Sequence, residues 1–255
     1  MFKITLSKLV KLFKTTPFKP ALVVIDMQHD FVHGSLAVAD APAIIEPINK
    51  LLELPFVIKI GSKDFHPPDH ISFASKHNKD LFSKITIYPP EDVKQEKGLE
   101  QVLWPDHCVQ GTLGVEFVEG LNDEAFHAVV QKGLHPGIES YSAFRDPWHI
   151  ETTELPGLLK DRGITHVYLV GVAGDYCVKS TAVDAVEFGF KTHVIRDAVR
   201  SVGKTGEEWK EMKKKKIQIV TSAQVTKRLS QVKPVRRSWR LFRFGPCGSQ
   251  MQAIQ

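Results

Sequence analysis

Apolar residues run unbroken through residues 21–25 (Ala-Leu-Val-Val-Ile). A continuous run of this kind is expected of a parallel strand buried on both faces, where no side of the strand meets water. Short segments rich in β-branched and other apolar residues at 56–60, 127–131, 166–170, 191–195 and 217–220 predict five further strands. Between them the pattern changes period. Residues 40–52 carry apolar positions at helical spacing, with Asp40 as a candidate N-cap and proline in the first turn. Residues 175–188 show the same spacing and stop before Gly189, a plausible glycine just past a helix end. A charged helix precedes the sixth strand. Strand and helix in alternation predict a three-layer α/β/α fold, with a mostly parallel sheet of about six strands covered by helices on both sides.

That architecture predicts where chemistry sits. In open α/β sheets, ligands bind at the carboxyl ends of the strands. Asp26 ends the first predicted strand. Asp64 and His66 follow the second, Lys132 ends the third, and Cys177 lies just after the fourth at the opening of a helix. Five reactive side chains at one sheet edge exceed chance scatter.

Composition narrows the class. The chain has 255 residues, 42% hydrophobic and 25% charged, as in ordinary globular proteins. No apolar run approaches the ~20 residues of a membrane-spanning helix, so no integral membrane contact is expected. Three scattered cysteines make no disulfide framework, which points to a reducing compartment, read as the cytoplasm. The net charge of +5 is unevenly placed. Residues 1–20 hold five lysines and residues 226–255 hold seven basic residues, with no acid in either. Residues 21–225 keep 22 of the 34 basic residues against all 29 acidic ones. The body is therefore acidic, which argues against a basic-faced nucleic-acid domain. The chain divides into a basic N-terminal extension (1–20), one catalytic domain (21–225) and a basic tail (226–255). Phe2, Leu6, Leu9, Val10 and Phe13 among lysines suit an amphipathic helix, compatible with a targeting or membrane-surface segment. The Arg-rich tail, with Trp239, Phe242 and Phe244 interleaved, suits contact with an anionic surface.

The candidate chemistry has three parts. In the turn from Gly171 to Cys177, the glycines permit a tight strand-to-helix connection that exposes the sulfur. A helix N-terminus favours a thiolate nucleophile, and its backbone N–H groups suit a developing oxyanion. A small buried core cysteine fits the turn equally well. Asp26 and Lys132 pair opposite charges at buried strand ends and would manage the proton of a thiol; a structural ion pair is the alternative. Asp64-Phe-His66-Pro-Pro-Asp-His70 places Asp64 and His66 two residues apart in an extended loop, and His107 offers a third ligand. Carboxylate with imidazole suits zinc, iron or manganese. Solvated histidines in a proline-rich loop would look the same.

Five segments remove these ambiguities together: Val24-Ile-Asp26-Met-Gln-His-Asp-Phe31; Asp64-Phe-His66-Pro-Pro-Asp-His70-Ile-Ser-Phe; Trp104-Pro-Asp-His107-Cys-Val-Gln-Gly-Thr; Lys132 with Tyr141-Ser-Ala-Phe; and Gly171-Val-Ala-Gly-Asp-Tyr-Cys177. In this order they resemble the nicotinamidases within the isochorismatase-like cysteine hydrolases. The resemblance implies hydrolysis of nicotinamide to nicotinate and ammonia in salvage toward NAD, and an isochorismatase-like hydrolase fold. It implies a triad of Asp26, Lys132 and Cys177, and one divalent metal, with zinc first among the candidates, on Asp64, His66 and His107. His70 matches a position that binds the metal in some members and contacts it through water in others. Phe31, Trp104 and Tyr141 match aromatics that sandwich the pyridine ring. A cis Val172–Ala173 peptide and an oxyanion hole from the Ala173 and Cys177 N–H groups are also implied, as is a homo-oligomer. His29 departs from the usual asparagine, and the basic ends have no counterpart in compact members. An isochorismatase proper would lack the cysteine. A sibling amidohydrolase would keep Cys177 without needing the metal loop.

Overall fold

The computed structural model describes residues 17–90 and 97–231. The predicted N-terminal amphipathic helix and most of the basic tail lie outside the described residues. Eight strands are present: β1 (Pro20–Ile25), β2 (Ile58–Asp64), β3 (Lys84–Ile87), β4 (Leu99–Val102), β5 (Ala128–Lys132), β6 (His166–Val172), β7 (Lys191–Arg200) and β8 (Gln218–Val220). Seven α-helices accompany them: α1 (His29–Val32), α2 (Ile45–Leu52), α3 (Ala74–His77), α4 (Leu155–Asp161), α5 (Cys177–Glu187), α6 (Glu207–Lys214) and α7 (Ser222–Ser230). Six strands form one fully parallel sheet in the order β5-β2-β1-β6-β7-β8. This is the expected α/β/α sheet, and all six predicted strands belong to it.

Alternate residues of β1 serve opposite layers, which explains its unbroken apolar run. Leu22 and Val24 pack with Ile48, Leu51 and Leu52 of α2 and with Val225 and Leu229 of α7. Ala21, Val23 and Ile25 pack with Leu155 and Leu159 of α4, with Val178, Ala182 and Ala185 of α5, and with Met212 of α6. Each fully buried aliphatic side chain of this kind contributes about 1.5–3 kcal/mol. The two layers clamp β1 at the centre and so fix the positions of the strand ends beside it.

Several boundaries differ from the sequence reading. β2 begins two residues later than predicted and runs on, so Asp64 is its last residue rather than the start of the loop. Asp40 adopts a left-handed conformation (φ 58°) and its side chain caps nothing; a 3-10 turn over Ala41–Ile44 precedes α2. Asp175 does not open α5. Its carboxylate instead accepts the amides of Val202 and Gly203 at 3.0 and 2.7 Å, and the helix starts at Cys177. The antiparallel pair β3–β4 has no counterpart in the sequence reading. Its strands are short and largely exposed, so they carry no apolar run.

The chain leaves β1 toward β2 on one side and returns from β5 to β6 on the other. The order therefore reverses between β1 and β6, where such sheets form a crevice at their carboxyl ends. Asp26 follows β1 directly and Cys177 follows β6 by a five-residue step, so both face this crevice.

Candidate active site

Pairing within the sheet brings the first groups together. Asp64 and Lys132 are register partners at the ends of β2 and β5. Asp26 turns out of β1 with φ 48°. Ser62 in β2 holds it there, donating from Oγ to Asp26 Oδ1 at 2.7 Å. On the other side, Gly171 sits at φ 108° in β6, and a Cβ there would lie 2.0 Å from the Ile25 carbonyl oxygen. Only glycine lets the Cys177 turn approach β1 so closely. The Val172–Ala173 peptide is cis, as the resemblance implied.

Lys132 is the hub. Its Nζ lies 3.0 Å from Asp26 Oδ2, donates to Asp64 Oδ1 and to the Ser140 carbonyl at 3.3 Å, and reaches Cys177 Sγ at 3.5 Å. Lys132, Asp26, Asp64 and Cys177 are all buried. Oxygens of Asp26 and Asp64 and the sulfur of Cys177 lie within 4.8 Å of one another. Burial alone would lower the Lys132 pKa, but the Asp26 and Asp64 carboxylates hold it well above its ordinary value. Burial pushes Asp26 up against the pull of Lys132. Burial also pushes the Cys177 thiol well up, opposed by Lys132. Desolvation thus opposes the helix end that would favour a thiolate, and a buried thiol of this kind calls for a base beside it. Asp26 occupies that position.

The second group is built by one loop docking along another. His66 N–H donates to the Cys108 carbonyl at 3.0 Å, and Gln110 N–H donates to the His66 carbonyl at 2.9 Å. This brings His107 beside Asp64 and His66. Gln28 pins the end of β2, accepting the Asp64 N–H and donating to the Asp64 carbonyl, both at 2.8 Å. Each imidazole has its Nδ1 against a carbonyl: His66 on Gly133 at 2.9 Å and His107 on Pro105 at 2.7 Å. A carbonyl only accepts, so both Nδ1 atoms carry the proton, and the neutral rings would present lone pairs at Nε2. Those Nε2 atoms lie 3.6 and 4.0 Å from Asp64 Oδ2.

Two deprotonated nitrogens and a carboxylate oxygen converging in this way fit a divalent cation, and the carbonyls behind them are the expected outer partners. Lys132 holds Asp64 well below the usual carboxylate range although burial opposes it, so the ligand is ionised. His70 does not join this group. Its Nε2 donates to the Ile138 carbonyl at 3.1 Å and its Nδ1 accepts from the Ser72 hydroxyl at 2.8 Å, and it lies instead in a second cluster with His66 and Glu139.

Phe31, Trp104 and Tyr141 line one narrow cavity with Asp64, His107, Ala173 and Cys177. Sequence reasoning missed three further lining residues, Leu36, Tyr176 and Val202. Tyr176, next to Cys177, stands perpendicular to Trp104 with centroids 4.9 Å apart. It also missed the buried Glu139, which accepts the Ser140 N–H at 2.8 Å. In a wider groove between α5 and α6, Arg145 pairs with Asp184 and Glu187, and Lys179 pairs with Glu211. Cys108 is buried away from Lys132, with its thiol directed to the Gly114 carbonyl at 3.7 Å.

Comparison with known proteins agrees with this geometry. The isochorismatase domain family matches residues 68–242. The nicotinamidase of Acinetobacter baylyi is 41% identical over 211 residues, covering 80% of this chain and 94% of its own. The structure of the yeast nicotinamidase bound to the inhibitor nicotinaldehyde superposes with a TM-score of 0.76 at 34% identity, covering 79% of this chain and 99% of that one. A zinc complex of the pyrazinamidase of Pyrococcus horikoshii gives a TM-score of 0.63 at 33% identity, covering 80% and 99%. The chain belongs to the isochorismatase family of hydrolases.

Proposed function

We propose that this protein is a nicotinamidase, hydrolysing nicotinamide to nicotinate and ammonia and so returning the pyridine ring toward NAD. The observation that carries the reading is the contact of Lys132 with both Asp26 and Cys177, where Cys177, Asp64 and His107 line an aromatic-walled cavity and His66 joins Asp64 and His107. The likeness to nicotinamidases over four fifths of the chain supports it.

The steps follow from the residues. Asp26 takes the proton of the Cys177 thiol, and the adjacent Lys132 ammonium stabilises the thiolate. The sulfur attacks the carboxamide carbon, forming the C–S bond. The N–H groups of Ala173 and Cys177 receive the oxyanion; Cys177 is the first residue of α5, where amides lack intrahelical acceptors. As the C–N bond breaks, Asp26 returns the proton to the amine, which leaves as ammonia. Water then gives a proton to Asp26 and attacks the thioester. The C–S bond breaks, nicotinate leaves and the thiol is restored. Phe31, Trp104 and Tyr141 hold the ring flat throughout, so the amide meets the sulfur without a further loss of orientation. Asp64, His66 and His107 would hold a divalent cation, which would supply a Lewis acid beside the ring. We propose zinc as that ion, because the zinc complex of a pyrazinamidase has this fold. No helix among the described residues is long and apolar enough to cross a membrane.

Ammonia release from nicotinamide tests the reading. The wild-type chain should turn over, Cys177→Ala should be inactive with its circular dichroism unchanged, and Cys108→Ala should keep most activity. Activity surviving in Cys177→Ala and lost in Cys108→Ala would assign the wrong cysteine. Chelation should remove most activity together with the preference for nicotinamide over benzamide, and added metal should restore both. A metal-free enzyme that still strongly prefers nicotinamide would refute the anchoring role.

A further inference from the structure

Two walls of the cavity are tied to each other by a residue that does not line it. Trp104 Nε1 donates to the Tyr141 hydroxyl oxygen at 3.0 Å. Gln101, in β4, donates to the same oxygen from Nε2 at 2.9 Å. The same amide nitrogen donates to the Val102 carbonyl at 2.7 Å and lies 3.3 Å from Glu139 Oε2. A carbonyl and a carboxylate only accept, so the amide is oriented with its nitrogen toward them and toward Tyr141. An indole N–H only donates. Both lone pairs of the Tyr141 oxygen are therefore occupied, and the phenol ring is held at its polar end by two donors from one strand and the loop after it. Gln101 and Tyr141 are separated by 40 residues, so this is a tertiary tie between the small β3–β4 sheet and the segment after β5. Gln101 is 2% exposed, and its bonds are not weakened by competing water.

We propose that Gln101 is a positioning residue for substrate: acting through the Tyr141 hydroxyl, it fixes the spacing of the Tyr141 and Trp104 walls and so preorganises the slot for a flat aromatic amide. This rests on the amide-hydrolase reading given above. Ring stacking is felt alike by bound substrate and transition state, so loosening a wall raises KM more than it lowers kcat. Gln101 has a second route to the chemistry, and it predicts the opposite. Glu139 Oε2 faces Gln101, and the adjacent Ser140 donates its N–H to Glu139 while its carbonyl accepts from Lys132. Disturbance along that route would reach Lys132 and lower kcat.

A double-mutant cycle separates the two, using the metal-loaded, full-length enzyme and nicotinamide. Gln101→Met keeps the side-chain length and removes the donors. Its expected effect is a KM raised about five- to tenfold, the scale of one lost neutral hydrogen bond, with kcat within about twofold. Tyr141→Phe removes the shared acceptor. In that background Gln101→Met should change KM by less than about twofold, because the bond it breaks is already gone. A fall in kcat at unchanged KM, an equal effect in both backgrounds, or no effect would each overturn the proposal. If Gln101→Met does not fold, Gln101→Leu replaces it, since an apolar side chain can neither donate to Tyr141 nor accept from it. Wild-type ammonia release in the same assay separates the two readings: no turnover at all sinks the amide-hydrolase reading, whereas turnover with an additive cycle sinks only the role of Gln101.

Discussion

Gly133 shows how far one residue can set the chemistry of another. It lies just past Lys132 at φ 65°, and its carbonyl accepts from His66 Nδ1. A Cβ on Gly133 would lie 2.3 Å from the His66 ring. Glycine therefore serves both the backbone angle and the close approach of the imidazole. Gly133→Ala should push the ring away and break the bond that orients it, lowering metal affinity about tenfold or more with little change in fold. Competition against a chromophoric chelator measures this, and an unchanged affinity would show that His66 is not held as described. At this scale the sequence was legible where residue types are rare. Asp26, Asp64, His66, Lys132 and Cys177 stood out as reactive groups at the ends of predicted strands, and it was the resemblance carried by the five ordered segments, which also holds His107, that gave them roles. Gln28, Gln101 and Glu139 did not stand out. An amide or carboxylate reads as surface in a sequence until the structure shows which buried groups it joins.

Elements were legible where burial is two-sided. β1 and most of β6 carry continuous apolar runs because both faces meet a layer of helices. Ends were not legible. Asp64 and Lys132 are polar, yet they remain in their strands because the sheet ladder continues beneath the site. The β6–β7 pair also carries a polar surprise. His193 is 2% exposed and neither ring nitrogen has a hydrogen-bond partner among the described residues. Its ring stacks on its cross-strand partner Tyr168, with centroids 4.4 Å apart, and on His166 at 5.7 Å. Burial, reinforced by Arg228, His166 and Lys191, pushes its pKa down to about 3. The sign follows directly. An unfolded histidine titrates near 6.5, so between about 6.5 and about 3 the unfolded chain binds more protons than the folded one. The stability present above pH 6.5 is lost as pH falls across that window. The urea midpoint should therefore drop between pH 7 and pH 5. His193→Phe, which keeps the stacking, should show a smaller drop with the metal-site histidines unchanged. Equal drops would mean that His193 is protonated in the fold and has found a counter-charge.

At the scale of the whole molecule, the parallel sheet followed from the alternation of elements. The strand order did not, because each strand run reads the same wherever it is placed. What the order adds is the reversal between β1 and β6, which puts Asp26 and Cys177 on opposite sides of one crevice while Lys132 reaches in from β5 to contact both. The described domain also ends more sharply than the charge pattern suggested. α7 runs to Ser230 and buries Val225 and Leu229 against the core, although it falls within the basic stretch that begins at residue 226. The expected tail boundary thus belongs a few residues later for the purpose of a truncation. Every residue assigned to the site lies before 232. We therefore expect deletion of 232–255 to leave kcat/KM on nicotinamide within about twofold and the melting temperature unchanged, since no core side chain described here is removed. The same deletion takes away Lys233, Arg236, Arg237, Arg240 and Arg243 and no acid, lowering the formal charge from +5 to zero. Retention on a cation exchanger should fall accordingly, because that adsorption follows charge rather than fold. A collapse of turnover in soluble, folded protein would show that residues after 231 belong to the catalytic unit. Unchanged retention would show that the tail's charge is already neutralised within the molecule.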